Sequence, residues 1–406
     1  MKQSNTELNR SMSLPIITFY GLGTIIGAGI YVLIGKVAAA AGLFLPLSFL
    51  IAGVLAIFTA MSYAELSSRF PKSAGAALYV QEAWSRQSIS RIIGGLLVLT
   101  GIVSAATMAN GFVGYLGQFI DLAEALSIIL FVCFLSFVAA WGIKESAFLI
   151  TFITLVEICG LFFVLYTGQH AEPVMDWSSI LSVPETAAWS GIALGSFLAF
   201  YAFIGFEDMV NVVEEVQDPK RNLPIAMMLA IILATLLYCI VGIIAVRTVP
   251  VDLLADSKAP LADMVKNAGY SPLFISVISL VAVINGALVQ IIMASRVIYG
   301  MGKQGMIPQG LSYLHPKRKT PILATVLVSS IVLISALWFP LVTLAKITSF
   351  MMLVIFTCVN LALVVVKRRT PAPEGVYCFH IFVPLIGAAL CVILLILQMQ
   401  HIFECC

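Results

Sequence analysis

Gly21-Leu22-Gly23-Thr24-Ile25-Ile26-Gly27-Ala28-Gly29-Ile30 decides how this chain folds, because it sets four glycines inside an otherwise apolar run. From residue 14 to 37 that run is long enough to cross a bilayer, whose hydrocarbon core takes ~20 helical residues. A glycine in a helix interior costs about 1 kcal/mol relative to alanine. Within lipid, interrupted backbone survives only where protein buries it or where it lines a cavity. Two readings follow. Either the span is a helix broken near mid-membrane, with freed amides and carbonyls turned to something polar, or its small residues let another helix pack closely in the Gly-x-x-x-Gly manner.

The composition around this stretch sets the class. The chain has 406 residues, 61% hydrophobic and 10% charged, where a soluble domain carries about 25% charged. The expectation is an all-α polytopic membrane protein with the lipid bilayer as its surroundings. A net charge of +2 gives no reason to expect a nucleic-acid partner. Lys2 and Arg10 ahead of apolar sequence have the look of a signal peptide, but the run is too long and lacks a cleavage site, so a retained first span is expected. The eight cysteines (Cys133, Cys159, Cys239, Cys358, Cys378, Cys391, Cys405 and Cys406) have no metal-type spacing, and His170, His315, His380 and His401 fall at span ends or in loops. No metal and no cofactor are expected.

Apolar runs bounded by charge, Pro or Gly clusters give about eleven spans, near 14–37, 43–68, 90–120, 126–143, 147–168, 187–210, 222–247, 271–300, 321–339, 341–366 and 379–401. With the N-terminus in the cytoplasm, only Lys36, Arg247, Lys258 and Lys266 of the 22 basic residues fall outside, and Lys346 lies within the tenth span. That asymmetry predicts a cytoplasmic N-terminal tail over 1–13 and, with an odd number of spans, an outer C-terminus.

The sixth span repeats the peculiarity of the first. Ala199-Phe200-Tyr201-Ala202-Phe203-Ile204-Gly205-Phe206-Glu207-Asp208 holds a glycine and two acids among aromatics. Spans one and six are corresponding members of two five-span halves, 14–168 and 187–366, with an additional span at 379–401. Interrupted spans at matching positions of two halves point to a mid-membrane site in an inverted-repeat transporter.

At these residues the chain resembles the amino acid–polyamine–organocation (APC) superfamily of permeases, nearest its bacterial amino acid permeases and cationic amino acid transporters. Four stretches carry the resemblance. They are Gly23-Thr-Ile-Ile-Gly-Ala-Gly-Ile-Tyr-Val-Leu-Ile-Gly35, then Ser62-Tyr-Ala-Glu-Leu-Ser-Ser-Arg-Phe-Pro-Lys72, then Phe203-Ile-Gly-Phe-Glu207 running on to Glu214-Glu215-Val-Gln-Asp-Pro-Lys-Arg-Asn-Leu-Pro224, and Ser295-Arg296 to Gly305-Met-Ile-Pro308. The resemblance implies the LeuT-type five-plus-five inverted repeat with spans one and six discontinuous. Most members have twelve spans, whereas eleven are expected here.

An amino acid needs its carboxylate and ammonium solvated without water. The start of a half-helix offers amides and partial positive charge to a carboxylate, which in span one means Ala28, Gly29 and Ile30, past Gly27. Carbonyls for the ammonium are expected at Ile25 and Ile26 and around the break in span six, at Phe200, Tyr201, Phe203 and Ile204. The resemblance places the α-groups on the same backbone. It also implies a closing aromatic at Tyr201, an acid at Glu207 on the inner half of span six past Gly205, and a lining position near Gln290. Ser104, Thr107 and Asn110 in span three and Asn285 in span eight are further polar candidates, although Ser and Thr in a span also bond to their own helix.

Proton-coupled relatives carry a lysine fifteen residues after the glycine of a Gly-x-Lys-Glu-Ser motif. Here Gly142-Ile143-Lys144-Glu145-Ser146 leads to Glu157. An ionisable group deep in a span marks function by default, and Glu157 is expected to take up and release the coupling proton; a permanently neutral acid bonded to span one is the alternative. Arg69, Glu214, Glu215 and Arg221 cluster near the inner ends of spans two, six and seven and form either a cytoplasmic ion-pair gate or a solvated loop. The expected activity is secondary transport of an amino acid across the cytoplasmic membrane by alternating access, with proton coupling. Amino acid or polyamine exchange, and a non-transporting receptor of the same fold, are the alternatives. An enzyme is not expected, since no phosphate loop or metal spacing occurs.

Overall fold

Lipid offers backbone N–H and C=O groups no partner but each other, so an apolar chain of this kind is driven into helices. The computed structural model describes residues 10–72, 75–142, 147–180, 182–303, 305, 308–316, 318, 320–370 and 375–404. The expected tail before Arg10, residues 143–146 and 306–307 of two of the motifs, Lys317, Lys319, Cys405, Cys406 and the side chain of Ala28 lie outside the described residues.

Eleven spans are present among the described residues. They are Leu14–Ala41, Leu45–Arg69, Gln87–Leu116, Glu124–Trp141, Ala147–His170, a sixth built from Ala188–Phe200 and two 3-10 segments, Pro219–Thr248, Leu273–Lys303, Ile322–Trp338, Leu341–Arg369 and Phe382–Glu404. Nine described helices are long and apolar enough to cross a membrane; one of these, Gly29–Arg69, runs from the second half of span one through span two, and Leu14–Gly27 and Ile322–Trp338 are shorter. The chain is a polytopic helical membrane protein. Prolines open spans one, two and seven in the first turn, where the missing N–H has no helical acceptor to lose. Gly42, at φ 57°, stops span one and turns the chain into span two.

Span eleven starts three residues later than expected. Phe379 is not free to enter a helix, because its N–H donates to Glu65 Oε2 at 2.9 Å and its carbonyl accepts from Lys367 Nζ at 2.5 Å. Spans one, two, three and four pack respectively against spans six, seven, eight and nine, each on the span five places further along. Large apolar side chains such as Phe134, Phe152, Phe162 and Leu236 point outward, as a lipid-facing surface requires. Ahead of span one the chain is clipped to the end of span six, where Met12 N–H donates to the Glu215 carbonyl and Gln217 N–H to the Met12 carbonyl.

Candidate functional site

The two glycine-rich stretches break where they face each other. In span one the only non-helical residue is Gly27, at φ −1°, ψ −145°, which frees the last carbonyls of the first half and the first amides of the second. In span six the helix tightens to 3-10 over Tyr201–Phe203, Ile204 is extended, and Gly205 sits at φ 130° before a second 3-10 segment, Phe206–Glu215. A side chain at that φ is strained, and a Cβ on Gly205 would also run into the Thr24 carbonyl. A Cβ on Gly29 would lie 2.5 Å from Ala202 Cα. Both readings of the opening stretch therefore hold at once: the glycines break the helix and let the broken segments touch.

A third span binds the breaks together. The Tyr238 hydroxyl, in span seven, lies 2.9 Å from the Ile25 carbonyl and 3.1 Å from the Ala202 carbonyl. With one proton it donates to the pair as a shared bond, satisfying carbonyls that the breaks orphaned. Its ring is fixed against Phe49 and Phe203. Nothing in the sequence marked Tyr238, since a tyrosine in a long apolar span reads as packing.

Between the breaks lies a cavity of ≈ 40 Å³ whose lining includes Ile25, Gly27, Gly29, Ser104, Tyr201, Ile204 and Gln290. These are the expected residues that the fold brings together. Asn285 joins them, while Thr107 donates to its own helix and Asn110 to the Ala336 carbonyl. The volume suits a few water molecules, so an amino acid fits only if the surrounding spans part. A cavity over Gly27 is open to a methyl group, with no atom within 4 Å of an added Cβ. On the side away from the N-terminus, the Tyr201 hydroxyl and Ser104 Oγ share a hydrogen bond of 2.9 Å, and Leu33 and Ala345 pack on Tyr201. Towards the N-terminal side the cavity adjoins a wider one, ≈ 450 Å³.

Ile26, Ile30, Phe200 and Phe203 do not line the pocket with side chains; all four are fully buried in the packing behind it. Glu207 lines the wider cavity, and its Oε2 accepts the Gly205 N–H at 2.9 Å, so it caps the break from below. The acid on the central pocket is its neighbour Asp208. The 3-10 winding after Gly205 sets which of the two adjacent acids points where, and a sequence does not reveal that phase.

Glu157 is fully buried in span five, and neither carboxyl oxygen meets a hydrogen-bond partner among the described residues. It is not part of the pocket lining. Tyr31 of span one donates to the Glu157 main-chain carbonyl at 2.7 Å, and one turn earlier Thr154 packs on Gly23. Glu157 thus stands behind span one.

The four residues expected as an ionic gate are not gathered into one cluster. Arg69 lies on Glu65, with Nε at 3.0 Å and an Nη at 2.7 Å from Oε1, and Lys367 of span ten reaches the same carboxylate at 2.7 and 2.8 Å. Glu65 is fully buried there. Glu215 lines the wider cavity, Glu214 faces a separate groove with Arg10 and Lys220, and Arg221 is exposed. Neither Glu215 nor Arg221 joins a salt bridge among the described residues. The i, i+4 spacing of Glu65 and Arg69 was a signal for their pairing; Lys367, far away in sequence, carried none.

The family model for amino acid permeases matches residues 13–402. The chain is 29% identical, over 91% of its length, to cationic amino acid transporter 3, mitochondrial, of Arabidopsis thaliana, and 31% identical, over 90%, to the vacuolar cationic amino acid transporter 2 of the same plant. It is 28% identical, over 90%, to the branched-chain amino acid permease BcaP of Bacillus subtilis. It spans 64% and 61% of the two plant relatives and 82% of BcaP.

Proposed function

The chain belongs to the amino acid permease family, and from that premise we propose that it is a secondary transporter carrying amino acids across the cytoplasmic membrane by alternating access. The observation that carries this reading is the meeting of two backbone breaks at one pocket, tied by the Tyr238 hydroxyl. Amides at the start of the second half of span one receive the carboxylate. Carbonyls at Ile25, Ile26 and the span-six break receive the ammonium. Ser104, Tyr201 and Gln290 border the side chain.

Residues 14–168 and 187–366 act as the two repeats, and the pairwise packing of spans one to four on spans six to nine supports that division. The N-terminus is cytoplasmic, by the distribution of Lys and Arg. In that frame the conformation is inward-facing: the Tyr201–Ser104 bond closes the outer side, and the ≈ 450 Å³ cavity is the cytoplasmic vestibule. Glu157 is the coupling group. A buried carboxyl without hydrogen bonds is tolerated when neutral and costly when ionised, so its proton must come and go with rearrangement of span one. Arg69 serves as an anchor of span two on span ten rather than as a gate.

The test is uptake of radiolabelled amino acids into proteoliposomes under an imposed pH gradient, with and without a second amino acid preloaded. Uptake driven by the gradient alone is the expected result. Uptake only after preloading would make the protein an exchanger and Glu157 a structural residue, and no uptake or counterflow in either arm would leave a receptor of the same fold.

A further inference from the structure

Span eleven packs on spans two and ten, and two buried polar nodes fasten the three together. The first surrounds Glu65 at the end of span two, whose carboxylate is fully buried. Arg69 reaches it from the same helix, Lys367 from span ten, and the N–H of Phe379 from the segment that leads into span eleven. Lys367 also donates to the Phe379 carbonyl. Drawing any of these elements away would strand a charge in the interior, which is strongly unfavourable.

The second node stands about two helical turns before Lys367 on span ten. There Asn360 Nδ2 donates to Thr59 Oγ1 at 3.1 Å and to the Phe356 carbonyl at 2.9 Å, and Asn360 Oδ1 accepts from Ser62 Oγ at 2.6 Å. Thr59 Oγ1 lies 3.8 Å from Cys391 Sγ of span eleven. Thr59, Ser62, Asn360 and Cys391 are all fully buried. Span eleven presents Gly387 to the amide, and a Cβ there would come within 2.7 Å of Asn360 Oδ1. Slipping any of the three helices would leave the amide unpaired in the interior, so this contact has one good arrangement. Span ten packs on span three as well, but there the buried polar groups are spent elsewhere. Thr100 and Thr107 donate to their own helix, Ser90 to the Ala77 carbonyl and Tyr115 to the Tyr31 carbonyl, while Ser104 bonds with Tyr201. That contact is held by packing rather than by directional bonds, and helices packed in this way shear past one another in small steps.

We propose that spans two, ten and eleven form one rigid unit that shifts against span three as the protein changes state, so that span eleven is a moving part and not a fixed flank; the inference rests on the reading of the chain as an alternating-access transporter. Movement follows the interface that has no bonds to break. The two nodes then carry span eleven wherever span two goes.

Thr59→Cys places a sulfur beside Cys391, within a small rotation of a disulfide bond. The full chain carrying this change, with every other cysteine replaced by alanine, is reconstituted in proteoliposomes, and uptake of radiolabelled amino acids is read after oxidation and again after reduction. Joining spans two and eleven is expected to leave uptake within about twofold of the reduced protein. Uptake lost on oxidation and regained on reduction would overturn the proposal, because the two spans would then have to part. A second measurement depends neither on that bond nor on uptake. Spin labels placed by Leu50→Cys and Phe382→Cys report the distance between spans two and eleven, and labels placed by Ile92→Cys and Ile396→Cys that between spans three and eleven; all four positions are exposed, while Cys391 is fully buried. On addition of each of the twenty amino acids in turn, the first distance is expected to stay fixed and the second to shift. A change in the first would overturn the rigid unit. No shift in either, with uptake intact, would make span eleven a fixed flank and overturn the proposal while leaving transport standing. A shift in the second alone, without uptake, would keep the unit and overturn the transport reading, and neither shift nor uptake would overturn both.

Discussion

Tyr238→Phe removes one oxygen and leaves the ring that packs on Phe49 and Phe203. What it takes away is the only side-chain donor seen on the Ile25 and Ala202 carbonyls among the described residues. Both residues are fully buried or nearly so, and a buried polar group left without a partner costs about 1–3 kcal/mol. That cost falls on the arrangement in which the two breaks face one pocket. Expressed as a change in binding, 1–3 kcal/mol is roughly 5- to 150-fold. Substrate affinity of the purified variant in nanodiscs, measured beside its elution profile and thermal melt, is therefore expected to drop by that factor while the protein stays folded. An affinity within twofold of the unaltered protein would refute the reasoning, because it would mean that the bond joining the breaks has no part in shaping the site.

Further expectations concern neighbouring residues. Ser104→Ala loses the side-chain bond to Tyr201, worth about 1 kcal/mol, and leaves the Tyr201 hydroxyl only the Ser104 main-chain carbonyl at 3.3 Å; labelling of a cysteine placed at Leu33 from the outer side should rise by up to about fivefold, and Tyr201→Phe, which loses both bonds, should raise it at least as much. Gly27→Ala puts a methyl into the cavity between the breaks and should weaken binding, whereas Gly29→Ala drives a methyl onto the Ala202 backbone and should lower folded yield as well. Glu157→Gln should abolish uptake driven by a pH gradient and spare exchange between preloaded and external amino acid, read in the same proteoliposomes. Glu65→Gln strips the counter-charge from two buried cations, Arg69 and Lys367; breaking such a cluster costs about 3–5 kcal/mol, and the thermal melt should show it.

The spans and both breaks were legible because lipid leaves so few choices. An apolar run must be a helix, and a glycine cluster inside one must have a reason, so Gly27 and Gly205 announced themselves. Which backbone groups meet was less legible. Tyr238 acts through a carbonyl 213 residues away, and no local pattern encodes such a contact. Asp208 was passed over for Glu207 because the phase of the 3-10 segment starts afresh after Gly205. Arg69 was read by its location near other charges, while the buried Glu65 on its own helix, and Lys367 brought in from span ten, competed for it more strongly. Polar residues in span three divided as helix geometry dictates: Ser104 looks into the pocket, and Thr107 satisfies itself on Val103.

Transport as proposed requires that the paired breaks hold an amino acid by its α-carboxylate. The direct measurement is equilibrium binding of the tightest binder among the twenty amino acids beside its carboxamide, which keeps the shape and the ammonium but loses the negative charge. Amides at the head of a half-helix favour an anion, so the carboxamide is expected to bind at least a hundredfold more weakly. Equal affinities would contradict the account, because the second half of span one would then have no anion to receive.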